Sequence, residues 1–249
     1  MSIPDLPTLP EVTGQSSGGL RYHILGTVQQ TVVVDLQPGQ MVFSDTGAMS
    51  WMTQTVQMNT TAGGGGLGGM FKRAISGASL FLLDFSADGG PGQVAFCSDF
   101  PGQVLAFDLD ADQSVILHKH AFLCAEKSAA LDVFFTRKLG AGLFGGEGFV
   151  LQKLTGPGMV FAELDGDAVE YHLRPGETMR VEPGHVALFE ASVAFDVAPV
   201  QGIANMFLGG EGLFLATLTG PGRIWLHSMT VSKMAHRVAE YIPARGGHD

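Results

Sequence analysis

Apolar residues along this chain fall in short runs that end at glycine or proline. Within many runs they alternate with polar ones, or give way to them, as in Thr31-Val32-Val33-Val34-Asp35-Leu36 before Pro38-Gly39. A period of two predicts β-strands, and the glycine and proline punctuation predicts the turns between them. The same reading places strands at Tyr22–Leu25, Met41–Phe43 and Met49–Met52. The end of the chain departs from it: Val231, Met234, Ala235, Val238 and Ile242 share one face of a helix that Pro243 ends. That face is expected to pack on the sheets.

One run is used more than once. The fourteen residues from Gly145 to Gly158 (GGEGFVLQKLTGPG) return from Gly209 to Gly222 (GGEGLFLATLTGPG) with ten identical positions. Each copy reads as a glycine corner, a strand, a Gly-Pro-Gly corner and a second strand, Met159–Glu163 or Arg223–His227. A more degenerate copy runs from Gly77 through Phe85 to Gly90-Pro91-Gly92 and Phe96, so the prolines fall at 91, 157 and 221, in steps of 66 and 64 residues. Self-similarity at a fixed period means one structural unit used repeatedly. Aligning Leu36, Leu109 and Leu173 brings Asp45, His118 and Glu182 to one equivalent position, with Gly47, His120 and Gly184 two residues on, at the tip of a turn. The expectation is an all-β fold of three repeats (about 20–103, 104–167 and 168–249) around a pseudo-threefold axis. An extended Pro/Ser/Gly-rich arm at 1–19 precedes them, and the short C-terminal helix follows. Phe96, Val160 and Trp225, on strands that follow the corners, are expected to be buried.

Composition fits this picture. A chain of 249 residues with 35 glycines and 12 prolines suits one large all-β domain. A net charge of −10 with only 14 Lys and Arg argues against tracking phosphates, so no nucleic-acid partner is expected. No apolar run is long enough for a transmembrane helix and the N-terminus lacks the order of a secretory signal, so a cytoplasmic location is expected. Cys97 and Cys124 stand in apolar strand contexts and read as packed, reduced thiols.

Candidate chemistry is sparse. His118 and His120, two residues apart, could share a transition metal with Glu126, as a His-x-His and a glutamate do in cupins; the competing reading is a solvated turn. His185 with Glu190 is a weaker pair. Gly64-x-Gly66-x-x-Gly69 satisfies a dinucleotide pattern literally, but the surrounding chain has no βαβ units. Ser44, Ser50 and Ser228 sit in no nucleophile elbow. Glu147 and Glu211, repeated beside glycines, read as corner carboxylates that accept backbone N–H bonds or as paired acids. None of these constellations implies a cofactor.

The segment Gly209–Ser228, with Gly-Gly-Glu-Gly-Leu-Phe and Leu-Thr-Gly-Pro-Gly-Arg-Ile-Trp-Leu-His-Ser, resembles the altered-inheritance-of-mitochondria protein twenty-four family, as does Val181–Glu190. The resemblance runs from about residue 20 to the end. It implies a fold like that of the trp RNA-binding attenuation protein, a shortened double-stranded β-helix, here repeated within one chain. It implies no catalytic residues, and bacterial members have no assigned activity. Two function classes follow. The first is a non-enzymatic β scaffold that assembles with itself, as a trimer or another closed ring, or with other proteins. The second is a cupin-like metal enzyme or small-ligand binder using His118, His120 and Glu126.

Overall fold

The computed structural model describes residues 10–60, 82–137, 148–200 and 214–242. The glycine run at 64–69, and Glu147 and Glu211, lie outside these residues. What is described is nearly all β, with a single α-helix.

A hairpin of β1 (Glu11–Gln15) and β2 (Arg21–Leu25) opens the chain. Part of the segment read as an arm is therefore an edge strand, which its Pro/Ser/Gly composition concealed. Six strands then follow three times over. The first unit has β3 (Thr31–Leu36), β4 (Met41–Asp45), β5 (Met49–Met52), β6 (Val56–Thr60), β7 (Leu82–Ala87) and β8 (Gly92–Cys97). The second has β9 (Gly102–Leu109), β10 (Ser114–His118), β11 (Phe122–Glu126), β12 (Ala130–Arg137), β13 (Phe149–Thr155) and β14 (Gly158–Asp165). The third has β15 (Ala168–Leu173), β16 (Thr178–Val181), β17 (Val186–Glu190), β18 (Ala194–Pro199), β19 (Phe214–Thr219) and β20 (Gly222–His227).

In every unit the sixth strand pairs with the first and third, and the fifth with the second and fourth, all antiparallel. Even the irregularity in the third strand is reproduced, with register shifts between Met49 and Trp51, Phe122 and Cys124, and Val186 and Leu188. The turn after each first strand is tied the same way: the side chains of Gln40, Gln113 and Glu177 accept the backbone N–H of Gln37, Asp110 and Arg174. Hydrogen bonds local to a turn fix its shape and hence the register of the strands it joins.

Consecutive units share sheets. The second strand of one unit pairs with the third strand of the next, as β4 with β11 and β10 with β17. Closing three units into a ring would need a third ladder, β16 with β5, and none joins them among the described residues. The outcome is a stack of four sheets around three cores. The five-stranded sheet β1-β2-β3-β8-β5 sends Val32, Val34, Val94 and Phe96 into the first core, where Val42, Cys124 and Phe161 of the six-stranded sheet β6-β7-β4-β11-β14-β9 meet them. The opposite face of that second sheet, with Phe43, Ala125, Val160 and Ala162, enters the second core against Val115, Leu117, Leu154 and Trp225 of the sheet β12-β13-β10-β17-β20-β15. Ile116, Leu151, Phe189 and Ile224, on the far side of that third sheet, pack on Val181, Val197, Ala216 and Leu218 of the three-stranded sheet β16-β19-β18. Phe96, Val160 and Trp225 are all buried.

Helix α1 (Val231–Ala239) begins at Thr230, whose side chain accepts the N–H of Lys233 as an N-cap. Its apolar face does not pack on the sheets. Val231, Met234, Val238 and Ile242 are all exposed, and no helix residue is buried. Periodicity identifies an apolar face correctly but carries no information on what covers it.

Candidate functional site

The turns after the second strands and the ends of the sixth strands lie near one another, and they carry most of the shifted ionisable groups. His118 ends β10, and His120 follows in a single 3-10 turn, Lys119–Ala121. The two imidazole rings lie 5.3 Å apart. Burial pushes the His118 pKa well down and that of His120 down to about 4, with Lys119 adding to the effect on both. Both rings are therefore neutral across the physiological range.

Glu126 does not join them. One of its carboxylate oxygens accepts the backbone N–H of Met159 at 2.6 Å and the other the Ser16 hydroxyl at 3.2 Å. The same latch recurs: Glu190 accepts the N–H of Arg223 at 3.0 Å and also its Nε–H, while Thr53 accepts the N–H of Gln93 at 2.9 Å. Each of these donors directly follows a Gly-Pro-Gly corner, so the position is a corner fastener in every unit, filled by glutamate in the second and third and by Thr53 in the first. Among the described residues no group of three or more His, Cys, Asp or Glu side chains is placed to hold a metal ion. The spacing of His118, His120 and Glu126 suggested a shared centre because a linear sequence does not show that β11 turns Glu126 toward β14. Glu190 is likewise occupied away from His185.

Of the candidate serines, Ser44 donates to the Asp45 carbonyl and Ser228 accepts the N–H of Asp167. Neither bond prepares a nucleophile.

The imidazoles of His185 and His227 are each fixed at both ring nitrogens by their neighbours. His185 Nδ1–H donates to the His227 carbonyl while its Nε2 accepts from Lys233, which also bonds Glu182. His227 Nε2–H donates to the Gly184 carbonyl, and its Nδ1 accepts the N–H of Asp165. Burial lowers the His227 pKa.

Facing this turn from the first two units is an acidic group that motif reading missed. Burial raises Glu163 to about 8, opposed by hydrogen bonds from Ser98 and the backbone of Asp99, and Asp165 and Asp99 raise it further. Burial also raises Asp165 and Asp45 to about 6 each. The repeat contains the signal that would have found Glu163: it stands six residues after Pro157, as His227 does after Pro221 and Cys97 after Pro91. At neutral pH Glu163 thus holds a proton, while Asp45 and Asp165 are ionised.

This arrangement has a pH consequence. A carboxyl with its folded pKa raised above 4.5 favours folding most below the unfolded value, and that contribution is lost as pH rises through about 8. Glu163→Gln keeps the shape without the charge. It is expected to raise stability by about 2–3 kcal/mol at pH 8.5, below the full equivalent of the shift because water and side chains relax, and to change little at pH 4.5. Urea midpoints at both values check this. Equal effects at the two would show that the carboxyl is not held neutral.

A family model described as mitochondrial biogenesis AIM24 matches residues 22–229. An uncharacterized protein of Streptococcus pyogenes serotype M6 is 28% identical over 232 residues, covering 90% of this chain and 92% of the relative. A crystal structure of a Streptococcus pyogenes protein, solved as a structural genomics target, superposes with a TM-score of 0.73 at 25% identity, covering 90% of this chain and all of the other. Among the described residues no helix is long and apolar enough to cross a membrane. With its repeated units matched almost from end to end, the chain belongs to the AIM24 family.

Proposed function

We propose that this protein is a non-enzymatic β scaffold that assembles head to tail with copies of itself. The observation that carries the reading is the contrast between equivalent third strands. Cys124 on β11 and Leu188 on β17 are fully buried where the preceding unit's second strand pairs with them, whereas Trp51, at the same register position on β5, is 53% exposed. Met52 is exposed too, while its counterparts Ala125 and Phe189 are buried. The complementary edge, β16, also lacks its ladder among the described residues. A second copy placing β16 beside β5 would rebuild the six-strand arrangement that the chain makes twice internally, extended by the β1–β2 hairpin. Following the internal registers, Val181 would stand opposite Trp51 and Arg180 opposite Met52.

Head-to-tail pairing of this kind is heterologous and closes only as a ring. A trimer is the ring we propose. Unpaired edges with exposed large apolar side chains are uncommon in stable monomers. Light scattering of the full chain is expected to give a closed oligomer, and Trp51→Glu, which puts a charge on the edge, is expected to give monomers with an unchanged circular dichroism spectrum. A wild-type monomer of 26.2 kDa at micromolar concentration would overturn the proposal.

A further inference from the structure

The repeat gives a second, independent comparison, at the edges of the first strands. In the first unit, β3 is paired on its outer edge by β2, with Arg21 opposite Asp35, His23 opposite Val33 and Leu25 opposite Thr31. Strand β2 then covers part of the next sheet: Tyr22 packs edge-on to Phe161 at 4.9 Å, and Ile24 enters the first core.

The equivalent strand in the second unit is β9, where Asp108 corresponds to Asp35 and Ala106 to Val33. At its start the outer edge is occupied, since Gly102 N–H donates to the Val28 carbonyl and Val104 N–H to the Gln30 side chain. The period of two sends the N–H groups of Ala106 and Asp108 to that same edge. Among the described residues neither has a strand beside it. Where the counterpart of β2 would lie there is a groove of about 400 Å³. Its walls are Leu105, Phe107 and Leu109 of β9 with Glu170, Arg223 and Trp225 of the next sheet. Trp225 is the counterpart of Phe161, the ring that Tyr22 covers.

We propose that this groove takes an extended peptide from a partner protein, added as a strand to β9 with an aromatic residue and an aliphatic residue two positions on facing Trp225. The chemistry is read from β2, which supplies Tyr22 and Ile24 at the corresponding place. Main-chain bonds to Ala106 and Asp108 supply affinity, and alternate side chains in the groove supply specificity. The guanidinium of Arg223 lies 5.0 Å above the Trp225 ring, and the indole Nε1–H donates to Glu170 at 2.8 Å, so the polar groups of the wall are already partnered over the ring, and the half-buried Leu105, Phe107 and Leu109 of β9 offer the apolar contact. The groove does not involve β5 or β16, so the proposal stands whether or not the chain assembles through those edges.

The test uses the full chain and a capped synthetic peptide copying Gly19–Gly26. Residue-resolved hydrogen exchange is expected to show the amides of Ala106 and Asp108 slowed about tenfold or more at saturating peptide, with those of Val33 and Asp35 unchanged. N-methylation at the positions of Arg21, His23 and Leu25, which face the strand, is expected to abolish the effect. N-methylation at Tyr22 and Ile24 is expected to preserve it. Glu170→Arg, which fills the groove from its exposed rim, is expected to remove protection in the folded protein. Three results would overturn the proposal: no slowing at β9, exchange altered at β3 through displacement of the chain's own β2, or binding that survives methylation of the facing amides and so marks only an apolar ligand site.

Discussion

Trp225→Ala is expected to lower the stability of the protein by about 3–5 kcal/mol, the usual cost of emptying a large aromatic site in a core. The ring is 4% exposed and lies in the second core, where Phe107 meets it edge-on at 5.3 Å from the opposing sheet. Removing it also leaves the Glu170 carboxylate without the indole donor and Arg223 without its aromatic face. Trp225→Phe separates these contributions: it keeps much of the ring contact and loses the hydrogen bond, so about 1–2 kcal/mol is expected. Chemical denaturation of both variants checks the order. A loss below about 1 kcal/mol for the alanine variant would mean that the second core closes without this residue.

The three Gly-Pro-Gly corners make a sharper prediction because the same substitution is expected to have opposite outcomes. A Cβ added at Gly156 would lie 2.2 Å from the Asp110 carbonyl oxygen, and one at Gly220 would lie 2.4 Å from that of Arg174; at Gly90 it would meet nothing within 4 Å. The obstructing atoms are backbone, held by the turn hydrogen bonds that Gly156 and Gly220 themselves make to Gln113 and Glu177. They cannot rotate away as a side chain would. Gly156→Ala and Gly220→Ala are therefore each expected to cost about 3 kcal/mol, at the upper end of the usual range for overpacking. Gly90→Ala is expected to be neutral within about 0.5 kcal/mol, as a surface change. Comparable losses at all three positions would show that the first corner adopts the tighter form in solution.

The repeat made the fold legible. Gly-Pro-Gly spacing and the recurrence of Leu36, Leu109 and Leu173 carry the repeat and the strands beside its corners, because turn chemistry is local and survives in the sequence. What stayed hidden is non-local. That β5 lacks, among the described residues, the neighbour that β11 and β17 have cannot be read from Met49–Met52, whose composition suits a buried strand. The latch role of Glu126 depends on a partner 33 residues away. Glu163 looked like an ordinary polar position in an alternating strand, and only burial at the meeting of two units changes its proton affinity. β1 was concealed because an edge strand needs little apolar character when one face meets solvent. The helix face from Val231 to Ile242 was visible, but its exposure was not.

In each unit the first strand is hydrogen-bonded to the last: Thr31 to Cys97 and Leu36 to Gly92 in the opening unit, with the same closure in the other two. During synthesis β3 must therefore wait for nearly the whole unit to be made before it finds its partner, and the cost of ordering that intervening loop precedes any return from the pairing. The sheet sharing then adds a second delay, since the far side of the sheet holding β4 and β7 is covered only when strands of the following unit arrive. A nascent chain halted after the first unit would present an unfinished core and open edges together, a state prone to pairing with the wrong neighbour. By contrast, the β1–β2 hairpin can form at once, giving β3 a local edge to add to and a starting point from which closure can propagate toward the C-terminus.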